Sequence, residues 1–330
     1  MRLLIYEPSF RRLEAAISRL GGRVEPILMG DDGSLRLGGA PTTLEDARAE
    51  AAWANNETFF GPAARAYSLA MLKSPGLKWL QSGAAGFDHP IFGQLVARGV
   101  RLTTSHGQAV GMADYVLWGV LDHLQRGPER RAGQAAHEWR RLRFRDLAGT
   151  RWLIVGFGAI GQGVAERARA FGARVTGVRR NPAPHPAAEA IVAPERMNER
   201  LPDADVVVLS VPLTPETHHR VDAGFLAAMK PGSVFVNVGR GGLVDEPALL
   251  AALDRGVPEH AVLDVFETEP LPQASPFWDH PRVTLTAHAS GISDGQAARN
   301  DALFMENLGR YLKGEALINE ADPKDVLAGK

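Results

Sequence analysis

The chain has 330 residues, 45% hydrophobic and 23% charged, with a formal net charge of −1 at pH 7 and no cysteine. These values are typical of a globular protein of two domains, and they lack the basic field of a general nucleic-acid binder. Without cysteine, the chain has no disulfide, thiolate nucleophile or thiolate-bound metal. The first apolar run, residues 3–6, is too short for a signal peptide, and no stretch suits a membrane span, so we expect a cytoplasmic protein.

The first hundred residues alternate short apolar runs with helical patterns. The pattern predicts helices at residues 10–20, 62–72 and 90–98, and strands at residues 3–6, 24–29, 51–54, 77–81 and 100–104. Residues 30–40, which contain Gly and Asp, are predicted to form a loop. Alternation of this kind predicts a parallel, doubly wound sheet.

A second series of elements follows a long helix at residues 112–125 and a locally basic arm that ends at Leu147. We interpret the arm as a solvated or interface segment rather than a nucleic-acid site. Strands are predicted at residues 151–155, 173–178, 206–210, 234–238, 262–265 and 283–286. Residues 181–194 are predicted to form a loop, and helices are predicted at residues 246–254 and 293–313.

The predicted fold is therefore α/β, with two doubly wound parallel-sheet domains of the Rossmann or flavodoxin kind and a cleft between them. We expect the last helix to return to the first unit. That arrangement predicts a discontinuous substrate domain, residues 1–104 plus 290–330, and a dinucleotide-binding domain, residues 105–289.

A glycine-rich turn follows the strand predicted at residues 151–155 and leads into a helical pattern. A G-x-G-x-x-G motif is weak alone, but strand, turn and helix are the context that dinucleotide binding requires. A glycine-rich turn without a ligand is the alternative. The residues predicted to bind the cofactor here are Gly156, Gly158, Ala159, Ile160 and Gly161.

Arg179 and Arg180 follow the next predicted strand, where NAD enzymes usually carry an acidic residue. A guanidinium can bind a ribose 2′-phosphate, which a carboxylate would repel. We therefore predict that NADP is preferred. Two solvated arginines, with NAD still accepted, are the alternative.

Three chemically reactive residues, Arg240, Glu269 and His288, follow later strand-like runs. A guanidinium suits a carboxylate, and an imidazole exchanges protons near neutral pH. Glu269 is expected to pair with His288 and to orient its ring. His218 and His219 look exposed and have no carboxylate partners at metal-ligand spacing, so no metal site is predicted.

These segments resemble the D-isomer-specific 2-hydroxyacid dehydrogenases from about residue 77 to residue 312. The resemblance rests on AGFDH at 85–89, GFGAIG at 156–161, PLTPET at 212–217, VNVGRGGLVDE at 236–246, LDVFETEP at 263–270 and LTAH at 285–288. The first 75 residues match only in pattern.

The resemblance implies reduction of a small 2-keto acid, such as glyoxylate or hydroxypyruvate, by a nicotinamide cofactor. Arg240 would bind the substrate carboxylate, with the backbone N–H groups of Ala85 and Gly86 on its other side. His288 would exchange the proton. Asp264 would bind the nicotinamide carboxamide, and Pro212 would contact the nucleotide. A homodimer through residues 112–144 is also implied.

Two departures from the family pattern and several alternatives remain. Ala287 stands where the family often has proline, and residues 53–56 lack the arginine of phosphoglycerate-oxidising members. Formate-oxidising relatives carry glutamine at the position of Glu269, which argues against that activity; a phosphonate oxidiser is a further alternative. A nucleotide-sensing binding protein resembling corepressors, or an NAD-dependent dehydrogenase of another 2-hydroxy acid, stays open. The substrate side chain is expected near Trp53, Asn55, Phe87, Trp278 and Ser290.

Overall fold

A computed structural model describes residues 1–87 and 89–328, and in it the chain divides into two compact units. Unit 1 comprises residues 1–108 together with the chain from Asp294 onward, and unit 2 comprises Ala109–Ser293. The roles predicted for residues 1–104 plus 290–330 and for residues 105–289 stay predictions. Within the described residues, no helix is both long and apolar enough to cross a membrane.

Unit 1 is built on a largely parallel sheet. Its strands are β1 (Arg2–Tyr6), β2 (Glu25–Met29), β3 (Leu35–Leu37), β4 (Ala40–Pro41), β5 (Ala51–Ala54), β6 (Trp79–Ser82) and β7 (Arg101–Thr103). The spatial order is β4-β3-β2-β1-β5-β6-β7, and only the β2–β3 and β3–β4 pairings of these strands are antiparallel. Its helices up to this point are α1 (Glu7–Ser18), α2 (Leu44–Ala47), α3 (Asn56–Phe60), α4 (Ala64–Lys73) and α5 (Pro90–Val96).

Unit 2 contains a sheet that is parallel throughout the described strands. They are β8 (Arg151–Val155), β9 (Arg174–Val178), β10 (Ala190–Val192), β11 (Val206–Leu209), β12 (Val234–Asn237), β13 (His260–Leu263) and β14 (Val283–Leu285). The spatial order is β10-β9-β8-β11-β12-β13-β14. Its α-helices are α6 (Ala109–Leu124), α7 (Gly127–Ala135), α8 (Ala159–Ala170), α9 (Ala223–Ala227) and α10 (Glu246–Arg255), and 3-10 helices span Pro194–Asp203 and Gly241–Leu243.

The central strands of this second sheet, β11, β12 and β13, are buried on both faces. Val206 to Leu209 of β11 are 2% exposed or less, and Val234 and Phe235 of β12 are fully buried. Continuous runs of apolar residues are what a parallel sheet covered on both sides requires. This burial explains why the apolar runs predicted these strands well.

The last two helices, α11 (Gln296–Lys313) and α12 (Pro323–Ala328), belong to unit 1, as expected for the last long helix. Phe304 of α11 stacks on the Trp53 ring with ring centroids 4.9 Å apart. Trp53 is 0% exposed, so its predicted place in a substrate pocket is wrong. Its side chain anchors α11 to the sheet instead.

Two segments that the sequence predicted to be loops contain short strands, and the basic arm contains a helix. Residues 30–40 include β3, residues 181–194 include β10, and the basic arm includes α7. Both strands have three residues and pair with a neighbouring strand. This pairing stabilises the two short strands, because their own sequences do not do so. The mostly parallel α/β class is confirmed.

One prediction concerns the buried ring of His260, which begins β13. It is 7% exposed, and it stacks on His123 of α6 with centroids 4.3 Å apart. Burial, with the nearby charge of His123, lowers the pKa of His260 to about 3, although Asp122 opposes the shift. His280 and Arg282 also face the ring and lower its pKa.

The unfolded chain therefore binds protons at position 260 at a pH where the folded chain does not. The contribution of His260 to the free energy of unfolding is fully present above about pH 6.5. It is lost as the pH falls toward the pKa of His260 in the folded chain. Between pH 7 and pH 5 the free energy of unfolding should fall by about 2 kcal/mol more in the natural protein than in His260→Gln. Urea unfolding at both pH values measures this, with His137→Gln as the exposed control, and equal losses in all three proteins would contradict it.

Candidate active site

The predicted site residues of unit 2 lie at one edge of its sheet. Because β8 to β14 are parallel, their carboxyl ends meet at the same edge. The chain passes from β8 to β9 on one side and later to β11 on the other, so the edge beside β8 is the switch point where such sheets bind ligands. The glycine turn follows β8, and Arg240, Asp264 and His288 follow β12, β13 and β14.

The glycine turn has the conformations that a dinucleotide site needs. Gly156 has a φ of +99°, and a Cβ there would lie 2.6 Å from the Ser210 carbonyl oxygen. A Cβ at Gly158 would meet nothing within 4 Å, so its surface is open to a ligand. A Cβ at Gly161 would overlap the Gly156 carbonyl oxygen, which keeps helix and turn close.

Helix α8 begins at Ala159, with Gly158 as its N-cap and without a side-chain cap among the described residues. Ala159 and Ile160 form its first turn, whose N–H groups point out of the helix end. Amides and helix dipole together suit a diphosphate. The residues present therefore fit a dinucleotide, although their role stays a prediction.

The two arginines after β9 differ in their surroundings. Arg179 is half-buried, and its Nη2 donates to the Ala183 carbonyl at 2.8 Å. Arg180 is exposed. The pKa of the exposed Glu216 carboxyl is lowered, first by a hydrogen bond with Thr214 and also by the charge of Arg180. Arg180 therefore lies near the 212–217 turn. This is the side of the sheet edge where the ribose of a bound cofactor is expected.

Arg240 is held in a tight turn after β12. The Asn237 side chain donates from Nδ2 to the Arg240 carbonyl at 2.9 Å, and its Oδ1 accepts from the Gly239 N–H at 3.0 Å. A Cβ at Gly241 would overlap the Phe266 backbone. This close approach brings the Arg240 turn against the segment that leads to Glu269.

His288 and Glu269 are in contact, as the sequence predicts. His288 Nδ1 lies 2.7 Å from Glu269 Oε2, and Glu269 Oε1 accepts from the Phe266 N–H at 3.0 Å. Both side chains are partly exposed, at 49% and 35%. With Nδ1 occupied by the carboxylate, Nε2 is the nitrogen left for a substrate proton.

Asp264 is 1% exposed and holds the segment that carries His288. Its Oδ1 accepts from the Thr286 hydroxyl at 2.6 Å and from the Ala289 N–H at 2.8 Å, and its Oδ2 accepts from the Ser290 N–H at 3.0 Å. A carboxylate has about four acceptor positions, so one remains on Oδ2 for the predicted carboxamide contact.

The remaining predicted residues are placed as follows. Pro212 is exposed, and its carbonyl accepts from the Thr217 hydroxyl at 2.8 Å. Ala85 and Gly86 belong to unit 1, in the segment after β6, and neither N–H donates to another described residue. Asp88, part of the AGFDH segment, lies outside the described residues. The roles of these residues stay predictions.

Sequence reasoning missed a second histidine and carboxylate pair beside the first. His219 Nε2 contacts Glu267 Oε1, a partner that the sequence around His218 and His219 does not indicate. Glu246 accepts the Glu267 N–H at 2.8 Å, and burial, with the charges of Glu267 and Glu269, raises the pKa of its carboxyl. No local pattern signals a partner 48 residues away.

No group of three or more His, Asp or Glu side chains in the described parts of the chain is arranged to hold a metal ion. The titratable groups at this edge are instead disposed in pairs, His288 with Glu269 and His219 with Glu267. A guanidinium, a paired imidazole and a dinucleotide turn at one sheet edge can bind a carboxylate, transfer a proton and hold a hydride donor.

Comparison with known proteins supports this interpretation. The family described as D-isomer specific 2-hydroxyacid dehydrogenase, NAD binding domain, matches residues 117–290. A glyoxylate/hydroxypyruvate reductase A of Serratia proteamaculans is 37% identical over 223 residues, which cover 68% of this chain and 70% of that protein.

Two solved structures are similar over almost the whole chain. One is a D-isomer specific 2-hydroxyacid dehydrogenase of Xanthobacter autotrophicus Py2 in complex with NADPH and MES, with a TM-score of 0.76, 29% identity and coverage of 98% and 99%. The other is an NADPH-dependent glyoxylate/hydroxypyruvate reductase of Sinorhizobium meliloti in complex with NADP and sulfate, with a TM-score of 0.74, 26% identity and coverage of 100% and 99%. The chain is therefore an oxidoreductase that belongs to the D-isomer-specific 2-hydroxyacid dehydrogenase family.

Proposed function

We propose that this protein reduces small 2-keto acids, such as glyoxylate and hydroxypyruvate, to 2-hydroxy acids with NADPH. The observation that carries the proposal is the His288 and Glu269 pair, at 2.7 Å, on the same sheet edge as Arg240 and the glycine turn. The printed names of the similar reductases support the substrate class.

Arg240 would bind the substrate carboxylate with two parallel N–H donors, which fixes the keto group in one orientation. When bound, the reduced nicotinamide supplies a hydride for the keto carbon. His288 would donate the Nε2 proton to the keto oxygen as charge develops there. Glu269 would accept a hydrogen bond from Nδ1 and so orient the ring toward the keto oxygen.

The cofactor would be held by residues of unit 2. We place the diphosphate at the amides of Gly158, Ala159 and Ile160, because the second glycine of the turn is open and the helix end is uncapped. Asp264 would accept from the nicotinamide carboxamide at its remaining Oδ2 position, and Pro212 would contact the nucleotide. Ala85 and Gly86 would donate to the substrate carboxylate.

The test of function is an initial-rate assay of NADPH and NADH oxidation, followed by absorbance, over glyoxylate, hydroxypyruvate, pyruvate and larger 2-keto acids. We expect turnover of the smallest acids with NADPH. The product should be the D-2-hydroxy acid wherever the acid yields a chiral centre, which chiral chromatography measures. A rate no higher than that of buffer, for every acid with either cofactor, would reject the proposal.

NADPH is the preferred cofactor in this proposal because Arg180, an exposed guanidinium shortly after β9, could bind a 2′-phosphate. Arg180→Glu should lower kcat/KM for NADPH by about 10- to 100-fold, since a hydrogen bond to a charged group contributes roughly 1.5–3 kcal/mol. The value for NADH should change little. Kinetics with both cofactors measure the ratio.

A matched control lies at the other end of the same strand. Arg174 of β9 is exposed and pairs with Glu189 at 3.1 Å, so Arg174→Glu changes charge by the same amount away from the cofactor site. Its NADPH to NADH ratio should equal that of the natural protein. An unchanged ratio in Arg180→Glu would mean that another residue selects the cofactor.

The homodimer expected through residues 112–144 is also kept as a proposal. Trp139 is 94% exposed, and Trp118 and Phe144 are also exposed on this segment. Large aromatic side chains in water on one segment favour burial against a partner.

A further inference from the structure

Asp264 binds the backbone of the segment that carries His288 at three successive residues. The Asp264 backbone carbonyl accepts the His288 N–H at 2.8 Å, and its carboxylate accepts the N–H groups of Ala289 and Ser290. His288 itself has a φ of +50°, in the left-handed region that non-glycine residues rarely occupy. Such a conformation persists where surrounding contacts determine it. The position of the His288 ring therefore depends on where the Asp264 carboxylate lies.

Two hydroxyl groups extend this arrangement away from the reacting groups. Thr286 Oγ1 lies 2.6 Å from Asp264 Oδ1 and 2.8 Å from the Tyr115 hydroxyl of α6. A threonine hydroxyl has one proton, and an ionised carboxylate only accepts, so Thr286 donates to Asp264 and Tyr115 donates to Thr286. Burial raises the pKa of Tyr115 to about 12, which keeps its hydroxyl protonated as a donor.

We propose that Tyr115 and Thr286 are positioning residues that act through Asp264 to fix the segment carrying His288. The inference rests on the proposed role of His288 as proton donor. Thr286 directly follows β14, and Tyr115 lies in the second turn of α6. The two hydroxyl groups orient the Asp264 carboxylate, and the carboxylate orients the backbone at Ala289 and Ser290, directly after His288.

The strongest test uses substitutions that retain shape. Thr286→Val removes the hydroxyl, and Thr286→Ser keeps it and removes only the methyl group. Thr286→Val should lower kcat by about 10-fold or more, because it leaves a buried carboxylate oxygen with one donor fewer. KM for the keto acid and Kd for NADPH should change by less than about 3-fold, whereas Thr286→Ser should recover most of kcat.

Tyr115→Phe tests the outer member of the chain. Alone it should lower kcat by about 3- to 10-fold, and it should have little further effect in the Thr286→Val background, because the two hydroxyls act in series. Thr284→Val is the matched control, since Thr284 lies on the same strand but its hydroxyl faces His260 at 3.0 Å. Its kcat should equal that of the natural protein.

A second measurement does not depend on turnover. Amide hydrogen exchange at residues 288–290 should be faster in Thr286→Val and Tyr115→Phe than in the natural protein and in Thr284→Val. If the natural protein shows no activity, the proposed function fails while the exchange result still decides the positioning role. The inference would be overturned if Thr286→Val and Tyr115→Phe both showed the amide exchange rates and the kcat of the natural protein. If Thr286→Val does not fold, Tyr115→Phe decides it alone.

Discussion

Replacing Arg240 by lysine should lower kcat/KM for a small 2-keto acid by about 10²-fold or more, although the positive charge is retained. Lysine offers a point charge on a flexible stem, whereas the guanidinium offers two parallel donors that match a carboxylate. The turn is built to aim that group, because Asn237 holds both the Arg240 carbonyl and the Gly239 N–H.

Steady-state kinetics of Arg240→Lys and Arg240→Ala measure this effect. In Arg240→Ala, added guanidinium ion should restore part of the lost rate, because the missing donors are then supplied from solution. Arg255→Lys at the end of α10 is the control, since that side chain is exposed and lies in the last turn of the helix. A near-normal kcat/KM in Arg240→Ala would show that Arg240 does not bind the substrate.

The sequence predicted those strands whose burial can be recognised from their own residues. The strands β8, β11 and β12 consist mainly of apolar residues, as is typical of strands that are covered on both faces. The contact between His288 and Glu269 was also predictable, since each residue follows a recognisable strand and lies in a segment of the resemblance. The short strands β3 and β10 escaped prediction because neighbouring strands, rather than their own three residues, stabilise them.

Contacts between distant residues could not be read from the chain. Asp264 was predicted from the sequence as a cofactor ligand, but the structure shows most of its acceptor positions used by residues 22 to 26 positions later. His219 looked like an exposed histidine, although Glu267 lies against it. Trp53 looked like a pocket residue, but α11 returns to cover it. Each of these contacts depends on which distant segments pack together in the fold, and local sequence patterns do not show which segments those are.

Replacing His288 by asparagine should give the second large loss, a fall in kcat of about 10²- to 10⁴-fold, because general acid and base catalysis contributes that much. Asparagine is the sharper choice than alanine, since it tolerates the left-handed backbone that His288 adopts at φ +50°. The variant therefore loses the proton donor and keeps the local backbone. NADPH affinity, measured by nucleotide fluorescence, should stay within about 3-fold of the natural value.

A matched control is present in the same unit. His137 is exposed and also has a left-handed backbone, with φ +55°, so His137→Asn repeats the substitution without touching the site. Glu269→Gln should show a smaller loss than His288→Asn, because the amide can still accept the Phe266 N–H but no longer stabilises a positive ring. If His288→Asn and His137→Asn turned over keto acid equally fast, the proton would have to come from elsewhere, and the pairing of His288 with Glu269 would be structural.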